Sequence, residues 1–353
     1  MGAGKSTVVK VNFNHSDSFY YAGEKVTGTV SFHNPEKKLT LTNVSLGFIG
    51  EVGYTGEKRH HSRDGMGNIH EEHRTGQHQV PFINIRIQFT QSKANENKIS
   101  LEPGQYSWPF EFTIPQNLPP SAGSLPGSYP YIKYYVRITG DQPWYKSSQK
   151  ETYPLTIFPN VNIFNNEERQ SIVVSHRHRN HIHFDACLSP QSILPGEEFS
   201  LDIDLKNHKR LKIKGIEAIL IQHREIDQNH HAEAIFKMDL PFPENFSDTE
   251  LHENFNIRMP SEHIPPTYYY MISSSDLSIR TNIHYELKLE VKVHEGHHHM
   301  NLIIPVIIGT ESSLYQSQLG AISYNKMPIS YTTVVKETDA SPVYELEVEN
   351  LRL

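Results

Sequence analysis

The sequence predicts an all-β protein built as two tandem immunoglobulin-like β-sandwiches, and three observations carry that expectation. Most segments alternate apolar and polar residues and are rich in Val, Ile, Tyr and Phe, bounded by Gly, Pro, Asn and Asp, the pattern of half-buried strands between turns. No stretch has the spacing of a convincing amphipathic helix. A segment of the front half also reappears in the back half without a gap at an offset of 173 residues, and self-similarity at a long period signals a duplicated unit.

Composition bounds the function class. A chain of 353 residues is long enough for two domains that each bury a core. A formal net charge of −7 leaves no global basic field for nucleic acid, so none is expected as a partner. Cys187 is the only cysteine, which fits a reducing compartment. The N-terminus lacks the apolar core of a signal peptide, and the longest apolar run, Leu302 to Ile308, is broken by Pro305 and too short to span a bilayer. A cytoplasmic protein is expected. The sequons at Asn43 and Asn245 then carry no weight.

Taken in order, the chain opens "MGAGKST". A phosphate-binding loop needs a Gly five residues before its Gly-Lys pair and a helix behind it. Here Val9, Val11 and Phe13 alternate with Lys10 and Asn12, so a strand follows, and a nucleotide-binding enzyme using this lysine is disfavoured. Met1-Gly2 followed by Ser6 satisfies the N-myristoylation pattern, which makes Gly2 a candidate lipidation site. One acyl chain gives only reversible attachment, so transient membrane contact is the expectation.

The first repeated segment, "YAGEKVTGTVSFHN", falls without a gap on "LPGEEFSLDIDLKN": Gly23-Glu24 meets Gly196-Glu197, Asn34 meets Asn207 and, further on, Leu46 meets Ile219. One turn and two strands are duplicated. The polar stretch Gly53 to Gln79, with Lys58, Arg59 and Arg63, is expected to be a mobile loop. A second repeat sets "IPQNLPPS" against "MPSEHIPP", placing Pro119-Pro120 on Pro265-Pro266 and Tyr134 on Tyr285. The expected domains are residues 1–160 and 171–310, joined near Phe158 to Gln170, with residues 311–353 as a mostly disordered tail.

Histidines concentrate in "SHRHRNHIH", Ser175 to His183, and "HEGHHHM", His294 to Met300. Zinc needs convergent neutral imidazoles or thiolates. Along a strand His176, His178 and His181 do not converge without a bend, and Arg177 and Arg179 repel a cation; the second run reads as a solvated hairpin turn. No metal, cofactor or catalytic residue is expected. Cys187, between Ala186 and Leu188, reads as a buried, inert thiol.

In the front half, "YYAGEKVTGTVSF", "LEPGQYSWPFEFTIPQNLPPS" and "DQPWYKSSQKETYPLTI" resemble recurrent segments of the arrestin-domain-containing proteins, the α-arrestins, in that family's order. In the back half, "LSPQSILPGEEFSLDIDLKN" followed by "IEAILIQ" resembles the opening of its second domain. The resemblance covers about Val8 to Gly309 and implies a non-enzymatic adaptor with two arrestin sandwiches. Such a protein bridges membrane-protein cargo to endocytic or ubiquitin-ligase machinery, in the cytoplasm and transiently at the plasma membrane or endosomes. A retromer-type arrestin-fold coat subunit is the alternative within the same broad class. The family also implies capture of extended, often phosphorylated or acidic peptides along the first strand, which makes Lys5 and Lys10 the candidate cargo-binding or phosphate-binding residues. It implies recruitment of WW-domain ubiquitin ligases through Pro-Pro-x-Tyr motifs in the tail. The tail here holds "SPVY", with Pro342 and Tyr344 but without the first proline; the full match, "PPTY" at Pro265, Pro266 and Tyr268, lies inside the second domain.

Overall fold

The computed structural model describes residues 8–34, 38–41, 45–63, 69–89, 99–123, 129–139, 152–163, 170–177, 182–243, 246–274, 277–294 and 300–310. All of them belong to one compact unit, Met1–Glu311. Every regular element among them is a strand. The first half runs β1 (Val8–Phe13), β2 (Phe19–Tyr21), β3 (Lys25–Asn34), β4 (Leu39–Leu41), β5 (Ser45–Arg63), β6 (Ile69–Gln88), β7 (Ile99–Leu101), β8 (Gly104–Thr113), β9 (Tyr131–Thr139) and β10 (Thr152–Phe158). The second runs β11 (Ile172–Arg177), β12 (Ile182–Ser189), β13 (Ser192–Ile193), β14 (Glu198–Asn207), β15 (Ile213–Ile226), β16 (Asn229–Asp239), β17 (Glu250–Arg258), β18 (Tyr268–Ser274), β19 (Leu277–Val293) and β20 (Met300–Ile308).

Each half forms two sheets around its own core. The first pairs β1-β3-β8 with β2-β10-β9-β5-β6, and β4 with β7 as a small third sheet. The second pairs β11-β12-β14-β17 with β13-β20-β19-β15-β16, β18 adding to β19. Alternation does the sorting: in β3, Val26, Gly28, Val30 and Phe32 are buried while Thr27, Thr29 and Ser31 are not, and in β12 Ile182, Phe184, Ala186 and Leu188 alternate in the same way. Cys187 therefore sits half-buried on the opposite face of β12, not in the core as the local sequence suggests. Its apolar neighbours Ala186 and Leu188 point away from it, because successive side chains of a strand face opposite ways.

The duplication is physical as well as textual. Gly23 and Gly196 both take left-handed backbone, at φ 89° and 83°, a region open to glycine at little cost. In each turn the following glutamate reaches back, the Tyr21 amide donating to Glu24 Oε2 at 2.8 Å and the Leu194 amide to Glu197 Oε2 at 3.1 Å. The strands that follow, β3 and β14, have the same length and the same offset. Each ends on a buried asparagine whose side-chain amide donates to a backbone carbonyl, Asn34 to Leu101 and Asn207 to Leu211. The second repeat holds equally: the Tyr134 hydroxyl donates to the Pro119 carbonyl at 2.6 Å, and the Tyr285 hydroxyl donates to the Pro265 carbonyl. Both tyrosines are buried, and burial raises both phenol pKa values.

Within the expected loop from Gly53 to Gln79, residues 53–63 and 69–79 form instead a β-ribbon, β5 and β6 being paired from Ser45↔Gln88 out to Arg63↔Ile69. Period-two hydrophobicity reports burial of one face, whereas the backbone ladder needs no such pattern. A polar hairpin therefore leaves little trace in the sequence.

On the outer face of the first sandwich, the Glu51 carboxylate is 12% exposed and pairs with Lys133 at 2.7 Å. It also accepts from the hydroxyls of Tyr131 at 2.7 Å and Tyr135 at 3.1 Å. Burial alone would raise its pKa, but these hydrogen bonds and the lysine charge outweigh burial and hold it below the usual carboxylate range. A folded-state pKa below the unfolded value, about 4.3, means stabilisation that is present above that pH and lost as pH falls through the folded value. Urea midpoints measured from neutral pH downward are expected to fall less steeply in that acid window for Glu51→Gln than for the parent. Parallel curves would show that Glu51 does not contribute.

Candidate functional site

Two features of the fold have the form of recognition surfaces. The first is the edge made by β1, the terminal strand of its sheet, which among the described residues pairs only with β3, from Val8↔His33 to Phe13↔Gly28. Val9 and Val11 turn into the core, whereas Lys10 and Asn12 are exposed. The strand lies close on β3: a Cβ at Gly28 would stand 2.4 Å from the Asn12 carbonyl oxygen, so glycine is required there by space. From the opposite sheet, the Tyr153 hydroxyl approaches the Val9 carbonyl at 3.4 Å. An edge strand that among the described residues has a strand partner on one side alone is the geometry to which an extended peptide adds as a further strand. Lys10 lies on the described edge; Gly2 and Lys5 fall outside the described residues.

The second feature is the seam between the sandwiches. Ile226, Ile272 and Ile279 come from the second half yet pack into the core of the first, and Ala122 of the first packs into the second. Around this apolar contact the polar groups are satisfied across the seam. Asn229, at the tip of the β15–β16 hairpin, accepts from the Thr55 amide at 2.9 Å and donates to the Thr55 carbonyl at 2.6 Å. Tyr270 donates to the Asn117 carbonyl at 3.2 Å, and the rings of Phe19 and His263 stack 3.9 Å apart. Arg224, 2% exposed, donates through Nε to the Pro130 carbonyl at 2.6 Å. Burial lowers the Arg224 pKa and Glu233, 3.9 Å away, opposes that shift. Asn229→Ala removes a donor and an acceptor and leaves Thr55 without its cross-seam partner. A loss of about 1–3 kcal/mol is expected, measured by chemical denaturation; an unchanged midpoint would mean that water replaces the asparagine in full.

Comparison with known proteins decides the family. Residues 9–164 match the arrestin (or S-antigen) N-terminal domain, and residues 178–313 match the arrestin (or S-antigen) C-terminal domain. The chain belongs to the arrestin-domain-containing proteins. It is similar to Arrestin domain-containing protein 4 of Mus musculus, 34% identical over 65 residues, which are 18% of this chain and 15% of that protein. The Homo sapiens protein of the same name matches to the same extent, 34% over 65 residues. Arrestin domain-containing protein 17 of Caenorhabditis elegans is 25% identical over 141 residues, 38% of this chain and 30% of that one. The chain thus spans well under half the length of the curated relatives it matches.

In this arrestin-domain protein the internal Pro-Pro-x-Tyr match is part of the seam. Pro266 is buried, the Pro265 carbonyl accepts from Tyr285, and Tyr268 opens β18 while packing against Val161, Ile163 and Leu194. Burial pushes the Tyr268 phenol up to about 12. A WW-domain ligand must lie exposed along its length as polyproline II, and this segment does not. The tail motif, Pro342 and Tyr344, lies outside the described residues, as do His178, His181 and His297 to His299.

Among the described residues, the arrestin-domain fold does assemble one group of potential metal donors that the runs of histidine do not reveal: His223, His284 and Glu286, with donor atoms all within 4.8 Å of one another. On β15 and β19, His223 stands directly opposite His284. Their rings stack 4.8 Å apart, and His230 of β16 stacks on the other side of His223 at 5.1 Å. His223 Nε2 lies 3.1 Å from Glu286 Oε2 and its Nδ1 lies 2.9 Å from His230 Nε2. Burial, and next the neighbouring His223, hold the His284 pKa below its ordinary value. Burial works to raise the Glu286 carboxyl, yet the hydrogen bond from His223 and the nearby imidazoles bring it below the usual range. No local signal marks these residues, since they converge only through strand register.

Proposed function

We propose that this chain is a non-enzymatic arrestin-fold adaptor that takes extended acidic or phosphorylated segments of membrane-protein tails along β1 and passes them to trafficking machinery. The observation that carries the reading is the edge position of β1, which among the described residues pairs with β3 alone, with Lys10 exposed on it. Main-chain hydrogen bonds along such an edge supply affinity without a strict sequence requirement, and a lysine next to it favours an anionic partner. Transient membrane contact through an acylated Gly2 would concentrate the protein where cargo tails are.

A photocrosslinking residue placed at Asn12 should capture an acidic tail peptide, while the same residue at Val173, on a different edge and 65% exposed, should not. Lys10→Glu should weaken the peptide several-fold, in keeping with about 0.2–1 kcal/mol for an exposed charge pair and its reversal. Equal capture at both positions would remove β1 as the cargo strand. For ligase recruitment, pull-down with WW domains should be lost in Tyr344→Ala and kept in Tyr268→Ala, because Tyr268 is engaged in the seam. No capture of WW domains by the parent chain itself would argue for a trafficking scaffold without a ligase.

A further inference from the structure

Among the described residues, the outer face of the β15–β19 pair carries the most specific unassigned chemistry. Two imidazoles and a carboxylate converge there from two strands paired without interruption from Gly215↔Lys292 to Ile226↔Thr281. Strand positions hold side chains more rigidly than loops do. His223 and His284 are cross-strand partners, and Glu286 lies two residues beyond His284 on the same face. The 3.1 Å between His223 Nε2 and Glu286 Oε2 is close to the roughly 3.3 Å that separates two donors on a tetrahedral ion with bonds of about 2.0–2.1 Å. The side chains of His223 and Glu286 are 15% and 22% exposed, shielded yet open to entry.

The surroundings suit a ligand set. A zinc-binding imidazole usually gives its second N–H to a fixed acceptor, which sets tautomer and ring orientation. His230 Nε2 already stands 2.9 Å from His223 Nδ1. An ion on His223 Nε2 takes the place of the hydrogen now shared with Glu286, and Nδ1–H then donates to His230. Asn282 is held by Glu225 Oε2 at 3.1 Å and abuts His284 Nδ1 at 3.3 Å, which steadies the second ring. Two nitrogens and one oxygen select a zinc-class cation over calcium or magnesium, which prefer oxygen alone.

We propose that His223, His284 and Glu286 form a binding site for a zinc-class divalent cation, oriented by His230 and Asn282, with the fourth position open to water. The site is independent of the adaptor reading, and none of its residues belongs to the histidine runs Ser175 to His183 and His294 to Met300.

The test is zinc titration of the untagged full chain, stripped of metal and read in competition with a chromophoric chelator. Because the chain contains 22 histidines, the parent is compared with the triple variant His297→Ala, His298→Ala and His299→Ala. One equivalent of tight uptake should survive in the triple variant, disappear in His284→Gln and in Glu286→Gln, and weaken about tenfold in His230→Ala. Zinc should also raise the thermal midpoint of the parent but not of Glu286→Gln. Should His284→Gln fail to fold, X-ray absorption of the zinc-loaded parent decides directly: two imidazoles with oxygen neighbours support the site. Three or more imidazoles, tight uptake lost only in the triple variant, or no tight equivalent at all would overturn it.

Discussion

Phe48→Ala is expected to destabilise the protein by about 3–5 kcal/mol. Phe48 is fully buried at the centre of the first sandwich, its ring stacked on Phe112 at 5.0 Å and Tyr134 at 5.9 Å. Truncation removes apolar area and leaves a cavity, and the three aromatic side chains come from β5, β8 and β9 on two different sheets. The sheets cannot collapse onto the gap without moving the Tyr134 hydroxyl away from Pro119. Urea denaturation should show a markedly lower midpoint. A change below about 0.5 kcal/mol, the level of a tolerated surface substitution, would mean that this core is loosely packed.

Ile226→Asp should act on a different link, the coupling of the two sandwiches. Ile226 is fully buried, at the end of β15, and packs into the core of the first sandwich although it belongs to the second. A carboxylate there has no partner in an apolar contact and costs several kcal/mol unless the seam opens. Since each half has its own core, opening the seam is the lower-energy response. Calorimetry of the variant should therefore show two separated transitions, with faster proteolysis around Asn229 and Thr55. Val173→Asp, at a residue 65% exposed, is the control and should change stability by less than about 0.5 kcal/mol. One transition at the parental midpoint for Ile226→Asp would sink the idea that this residue joins the halves.

The candidate site was legible in the sequence only where it depended on local pattern. β1 could be read from Val9, Val11 and Phe13 alternating with Lys10 and Asn12, and its exposed lysine followed from the same alternation. That β1 is a sheet edge depends on which strands flank it, and no local pattern encodes that. The Pro-Pro-x-Tyr match shows the converse: Pro265 to Tyr268 reads as a ligand by itself, but its alignment with Pro119-Pro120 already pointed to a structural loop, and the Tyr285 and Tyr134 hydroxyls show what that loop is for.

By itself the sequence determined the all-β class, the duplicated Gly-Glu turn and the paired strands β3 and β14. These rest on period-two burial and on a backbone conformation that favours glycine, both properties of a few neighbouring residues. Only the tertiary structure decided the long β5–β6 ribbon, the seam through Ile226 and Asn229, and the convergence of His223, His284 and Glu286. The physical reason is register. His223 and His284 are 61 positions apart and face each other only because β15 and β19 pair at one offset, and a slip of one residue would turn every one of these side chains to the other face.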